Sequence, residues 1–435
     1  MLLETARSVM ALAQRLGAQG VAASAGRARS VDVEWRDGKL EKITEATTHG
    51  VSVQLYVDGR YSAVSTSDLR PEALERFLAD AVEMTRALAP DPHRRLPDPE
   101  LYAGQADVDL QLEDAAYGDL SAQDRRLFAE RIEAAARGHE AIVSVTSSVG
   151  DALYEGHRVH SNGFIGQRRA TSFWAGASVS VKDADGRRPE EGDYAAARFF
   201  RELPSAEALG GRARERALSR LGSKKMASAV LPMVVEGRVA GGLLGRLLGP
   251  MHAGSLQQRR SFFEGRMGQP IGSALLDVAD HPLLVRGLGS RLFDGEGIAA
   301  RRLPLFEKGV LRNFFVDTYY GRKLGMPPTT GGASNLDWKP GERGLEELIA
   351  DAGEGVLVTG FLGGNSNSTT GDFSLGVQGF RIASGKRAGP VAEMNVAGNH
   401  LELWKRLAAV GSDPYPYSAL RTPTLVFDGV QFAGL

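Results

Sequence analysis

A chain of 435 residues with 43% apolar side chains can bury a sizeable core, and its length predicts roughly three domain-sized units. Lys and Arg number 52 against 53 Asp and Glu; this near-neutral balance lacks the positive excess that drives binding to a phosphate backbone and disfavours a nucleic-acid partner. Cysteine is absent, so disulfides, iron–sulfur clusters, thiolate zinc sites and cysteine nucleophiles are excluded, and a reducing compartment fits.

Leu3, Ala6, Val9, Met10, Ala13 and Leu16 recur at the helical period, so an amphipathic helix opens the chain. Glu4 and Arg7 interrupt its apolar pattern as no signal peptide's core would tolerate, and no apolar run reaches the roughly 18 residues of a membrane span; the expectation is a soluble, cytoplasmic protein. Strands are predicted at 31–35, 50–57 and 61–65, with turns at Asp37-Gly38 and Asp58-Gly59. A helix follows, capped by Ser67 or Asp68, with Pro71 in its first turn and Leu74, Phe77, Leu78, Ala81 and Met84 on one face. Residues 89–106 read as a connecting loop.

Beyond it, a long helix is predicted from Ser121 to about Arg137, then strands at 142–149, 153–161 and 166–181, and a helical stretch over 192–220. Residues 230–235 read as a buried strand and 237–248 as a helix. Glycine-punctuated strands dominate the remainder, at 301–307, 310–318, 355–361, 373–382 and 391–396, with turns at Lys308-Gly309 and Ser384-Gly385. One helix interrupts them, capped by Asn399, carrying Leu401, Trp404, Leu407 and Ala408, and ended by Gly411; strands at 423–427 and 430–434 close the chain. The fold class expected is α+β: two N-terminal α/β subdomains with antiparallel or mixed sheets (1–100 and 101–225) and a glycine-rich C-terminal β domain of curved or barrel-like sheet (226–435).

Tests for chemistry mostly fail. Neither G-x-G-x-x-G nor G-x-x-x-x-G-K-[ST] occurs among the 53 glycines, which sit in turn-type pairs, and there is no G-x-S-x-G elbow. Of eight scattered histidines only His157 and His160 lie close in sequence, and an extended segment points them to opposite faces. Acidic turns at 294–297 and 369–374 remain as candidate recognition loops.

Four segments then become recognisable together: Phe-Asp-Gly-Glu-Gly-Ile-Ala-Ala-Arg-Arg at 293–302, Phe-Glu-Lys-Gly-Val-Leu at 306–311, Arg-Lys-Leu-Gly at 322–325 and Thr-Thr-Gly-Gly at 329–332. They closely resemble the TldD/PmbA family. Stretches 50–69, 261–270 and 365–427 agree, so the likeness runs over most of the chain. The family was named for modulators of DNA gyrase and contains peptidases that mature a peptide antibiotic and degrade an antitoxin.

In that family the TldD subunit carries an H-E-x-x-x-H helix after an apolar strand, and a later cysteine completes its zinc site. By the same register Glu236 and Gly241 here occupy the two histidine positions and Gly237 that of the general base. Glycine has no side chain to ligate with, the cysteine is missing, and 413–424 looks too short for its loop. The resemblance is therefore closest to the TldE (PmbA) subunit, and it implies several expectations. The chain would be inactive alone, with no metal or catalytic residue of its own. It would pair as a heterodimer with a TldD-like, zinc-bearing metalloprotease, or as a homodimer when alone, and it would shape a cavity for unfolded peptides. Asp294, Glu296, Asn365, Thr370, Asp372 and Ser374 are candidates for cavity or interface contacts. The alternative is a homodimeric peptidase or hydrolase using another constellation, such as Asp372, Ser374 and His400. A direct role on DNA or gyrase is disfavoured by the charge.

Overall fold

The computed structural model describes residues 1–434. In its N-terminal part α1 (Leu2–Arg15) precedes β1 (Gly20–Arg36), β2 (Lys39–Val57), β3 (Arg60–Thr66) and α2 (Pro71–Arg86). After a connecting stretch come α3 (Ala122–Ala136), β4 (Ile142–His160), β5 (Ile165–Val181), β6 (Glu190–Ala197) and α4 (Ala206–Leu218). The remainder contains β7 (Ala229–Val235), α5 (Gly237–Leu248), α6 (Ala253–Gln257), β8 (Val278–Asp280), β9 (Leu303–Glu307), β10 (Val310–Leu311), α7 (Thr318–Leu324), β11 (Leu336–Trp338) and α8 (Leu345–Ala352). It ends with β12 (Gly355–Ser366), β13 (Asp372–Ala383), β14 (Lys386–Asn399), α9 (His400–Lys405), β15 (Leu407–Val410) and β16 (Leu425–Ala433).

The α+β class is as expected, but strands on either side of residue 100 share one sheet. Its order is β3-β2-β1-β4-β5-β6, and β1 pairs along its length with both β2 and β4. Two cores lie along it. Val9, Ala13, Leu55 and Leu78 pack under α1 and α2, whereas Val33, Ile132, Phe173 and Leu209 pack under α3 and α4. In the C-terminal part β14-β13-β12-β7-β16 closes on itself through β14–β16 pairing, giving the five-stranded barrel, with β15 added to β16. A small sheet, β10-β9-β8-β11, stands beside it.

Several boundaries differ from the expectation, each for a physical reason. β2 begins at Lys39 because 39–49 is an exposed ribbon lacking the alternation that marks a half-buried strand. β4 runs through 150–152: a Cβ at Gly150 would lie 2.2 Å from the Trp174 ring, and Asp151 turns inward to Arg125. The helix expected over 192–220 begins only at Ala206, because Pro204 cannot continue a helix and Ser205 caps the new one through Ala208 N–H; Glu190–Ala197 is a strand instead. Residues 312–318 leave the sheet, and Asp317 caps α7. The last helix stops at Lys405, so Leu407 and Ala408 belong to β15. Asn399 does cap that helix, accepting from Leu401 N–H, but neither Ser67 nor Asp68 caps α2, where Asp68 is engaged with the guanidinium of Arg70.

Candidate functional site

β7 is the hydrogen-bonded centre of the barrel wall, parallel to β12 and antiparallel to β16, and Met233, Val234 and Val235 are buried. The chain turns at Glu236, whose backbone is extended (φ −55°, ψ 134°) and whose N–H donates to Val358 O at 3.1 Å, and then enters α5. Glu236 therefore points from a rigid strand-to-helix corner. It lines a cavity of about 560 Å³ between α4 and β6 on one side and α5 and β12 on the other.

The charges around Glu236 and Asp193 are paired. Arg216 of α4 clasps Glu236 through both carboxylate oxygens at 2.9 Å and donates to Thr359 O at 3.2 Å. Asp193 of β6 accepts from Arg212 Nε at 2.7 Å and lies 3.3 Å from Arg238 Nε. Burial opposes the charge on Arg216, but the hydrogen bonds and charge of Glu236 outweigh it and hold the guanidinium above its ordinary pKa. A bidentate pair of this kind joins the middle segment to the barrel.

The donor set does not fit zinc. At Gly237 an added Cβ would stand 3.0 Å from Thr422 O and 3.2 Å from Asp413 O; at Gly241 it would stand 3.4 Å from Leu420 Cβ. The segment that crowds both glycines is tied off by Asp413, which accepts from Thr424 N–H at 3.0 Å and Thr424 Oγ1 at 2.7 Å. Of the three positions, only Glu236 carries a side-chain donor, and a guanidinium already holds it. Among the described residues no three His, Cys, Asp or Glu group in a way that could hold a metal ion.

The other candidates fall into two places. Asp294 is buried, accepting from the backbone N–H of Glu296, Ile298 and Gly331 and from Thr330 Oγ1; Glu296 accepts from Thr318 N–H at 2.8 Å and Oγ1 at 2.6 Å at the start of α7. Both carboxylates fasten loops within the fold. Asn365, Thr370, Asp372 and Ser374 are exposed around the β12–β13 hairpin, Asn365 opposite Ser374 in register. The constellation of Asp372, Ser374 and His400 is not assembled: Asp372 accepts from Asn399 and Thr370, Ser374 bonds Asn395, and fully buried His400 bonds Ser366 at 2.8 Å between the rings of Phe262 and Phe373.

Burial, with the charge of Arg246 second, pushes His400 down to about 4; burial, with Arg158 second, pushes His160 down to about 3. Both are depressed below the unfolded value near 6.5, so the unfolded chain takes up protons first. Their contribution to stability is complete above about pH 6.5 and is lost as pH falls toward 4, about 3 kcal/mol for His400 alone. Urea unfolding between pH 7 and 4 checks this: His400→Gln is expected to flatten the decline, and an unchanged slope would refute the assignment.

Sequence reasoning missed Arg216 and Asp193. Arg212, Arg216 and Arg220 recur every four residues, a basic row on one helical face that could have signalled a partner of opposite charge.

Comparison with known proteins matches three family models: PmbA/TldA metallopeptidase domain 1 over 21–85, the central domain over 116–221 and the C-terminal domain over 228–434. The chain is 27% identical to Metalloprotease PmbA of Escherichia coli O157:H7 over 95% of this chain and 92% of that protein. It is 29% identical to a PmbA homologue of Haemophilus influenzae over 97% and 94%. A crystal structure of a proposed DNA-gyrase modulator from Bacteroides thetaiotaomicron superposes with a TM-score of 0.97 at 39% identity, covering 100% of this chain and 99% of that one. TldE of Thermococcus kodakarensis shares the fold, with a TM-score of 0.86 at 20% identity over 99% and 100%.

Proposed function

The chain belongs to the PmbA/TldD metallopeptidase family, and we propose that within it the chain acts as a non-catalytic, TldE/PmbA-like subunit of a cytoplasmic zinc metalloprotease. A TldD-like partner would carry the metal, and this chain would close the other side of a cavity that admits unfolded peptides. One observation carries the reading: at the strand-to-helix corner where a catalytic relative would place its ligands, Glu236 is held by Arg216, and Gly237 and Gly241 are packed under residues 413–424. With Glu236 paired and no side chain at Gly237 or Gly241, this corner offers neither a free base nor a ligand, which suits a wall that confines substrate.

Co-expression with a TldD-like subunit tests the proposal. A stable 1:1 complex should form and cleave an unstructured peptide that neither chain cleaves alone. Histidines introduced by Glu236→His and Gly241→His should leave the isolated chain inactive, since no thiolate is available and the 413–424 segment crowds the helix. Zinc-dependent cleavage by the isolated chain, native or doubly substituted, would overturn it.

A further inference from the structure

A second cavity, of about 400 Å³, shares no lining residue with the one at Glu236. It lies against the free edge of β5: β6 pairs with that strand only from Phe173 onward, so residues 165–170 have β4 on one side and no strand on the other. The irregular segment 108–113 crosses this edge, accepting from Thr171 N–H at Leu112 O, and the loop 286–293 closes the far wall. Leu110, Phe199 and Phe293 give the cavity an apolar side.

Its other side carries Arg168, Arg169, Arg286 and Arg291 against the acids Asp109 and Glu113. Arg169 pairs with Glu113, and Arg286 pairs with Glu202 while lying 4.3 Å over the Phe199 ring. The Arg168 side chain is exposed and makes no hydrogen bond or ion pair among the described residues. Behind it Arg198 is buried and donates only to the carbonyls of Thr171, Gly287 and Leu288. Burial, and then the charge of Arg168, pushes Arg198 down to about 10. Arg291 lies in the fields of Asp280 and Asp294 and donates to Ala333 O, Thr330 Oγ1 and Gly332 O through its terminal nitrogens, while its buried Nε has no hydrogen-bond partner. Gln111 and Arg286, which hydrogen-bond to each other at 2.9 Å across the cavity wall, both hold left-handed backbone (φ 48° and 59°), a strain that structures tolerate where a site is being shaped.

We propose that this cavity binds a carboxylate attached to an apolar group, with the carboxylate on Arg168, beside the positive charge of Arg291, and the apolar group against Phe199, Phe293 and Leu110. The volume falls in the range of about 300–1,000 Å³ usual for small-ligand pockets, and a planar carboxylate matches a guanidinium in geometry as well as charge. Such a group could be the C-terminal residue of a peptide or a free acid.

Calorimetric titration of the whole chain at low salt with N-acetyl-phenylalanine, its amide and 3-phenylpropionate tests this. Saturable 1:1 binding of the acid is expected, with affinity about tenfold or more lower for the amide and for Arg168→Gln, as loss of a charged hydrogen bond dictates. Arg168 is exposed, so its variant should unfold at the native urea midpoint. Tighter binding of N-acetyl-phenylalanine than of phenylpropionate would assign the site to peptide C-termini, and the reverse order would assign it to free acids. Equal affinity for acid and amide, indifference to Arg168→Gln, or no binding of either acid would overturn the proposal. None of these outcomes depends on whether the chain is catalytic.

Discussion

Arg216→Ala is expected to destabilise the chain by about 3 kcal/mol, because it leaves the Glu236 carboxylate without a counter-charge at a site where each side chain is only 19% exposed. The cost falls on the junction between α4 and the barrel corner, since the same guanidinium also satisfies Thr359 O. Removing both partners by Arg216→Met with Glu236→Leu should recover most of the loss, as paired removal leaves no stranded charge. Denaturant unfolding of Arg216→Met, of Glu236→Leu and of the double variant measures the coupling. Strictly additive effects would mean that the pair is not an interaction of consequence, and the cavity wall would then need another explanation.

A larger loss is expected deeper in the N-terminal sheet. Arg125 and Asp151 are 2% and 1% exposed, joined by Nε to Oδ2 at 2.5 Å and Nη2 to Oδ1 at 3.1 Å, and Arg125 also donates to Leu120 O. Arg125→Leu buries an unpaired carboxylate under α3 and should cost about 3–5 kcal/mol. The isolated variant is expected to expose the second core to proteolysis at temperatures where the native chain resists. Arg125→Met with Asp151→Leu should restore much of the stability, because apolar groups of similar volume replace a dehydrated pair. A single variant as stable as the native chain would contradict the geometry.

The same pair shows why part of this fold was legible in the sequence and part was not. Hairpins at Asp37-Gly38, Asp58-Gly59, Lys308-Gly309 and Ser384-Gly385 could be read directly, because each dipeptide supplies the two successive left-handed residues that a tight hairpin requires. The strand before the candidate site and the helix after it were also legible, through an unbroken apolar run and then helical periodicity. Asp151 was not legible: the expected strands stopped at 149 and resumed at 153, and only the distant Arg125 explains a carboxylate inside a continuous strand. Exposed residues 39–49 carry no burial signal, so half of β2 was invisible, although turn chemistry at its start was clear.

For the candidate site, the lack of side chains at Gly237 and Gly241 could be seen in sequence, while the partner of Glu236 could not. Arg216 lies 20 residues away on another element, and nothing local announces which carboxylate it meets. The acidic turns misled in the opposite direction: Asp294 and Glu296 resemble a recognition loop, but loop carboxylates next to backbone N–H groups satisfy the chain itself.

Zinc analysis of the purified chain after equilibration with the metal and desalting tests the central claim most directly. No stoichiometric zinc should be retained, and Glu236→Gln should change nothing in that result. One zinc held tightly per chain, and released by Glu236→Gln, would show that the corner at Glu236 binds metal after all and would contradict the account.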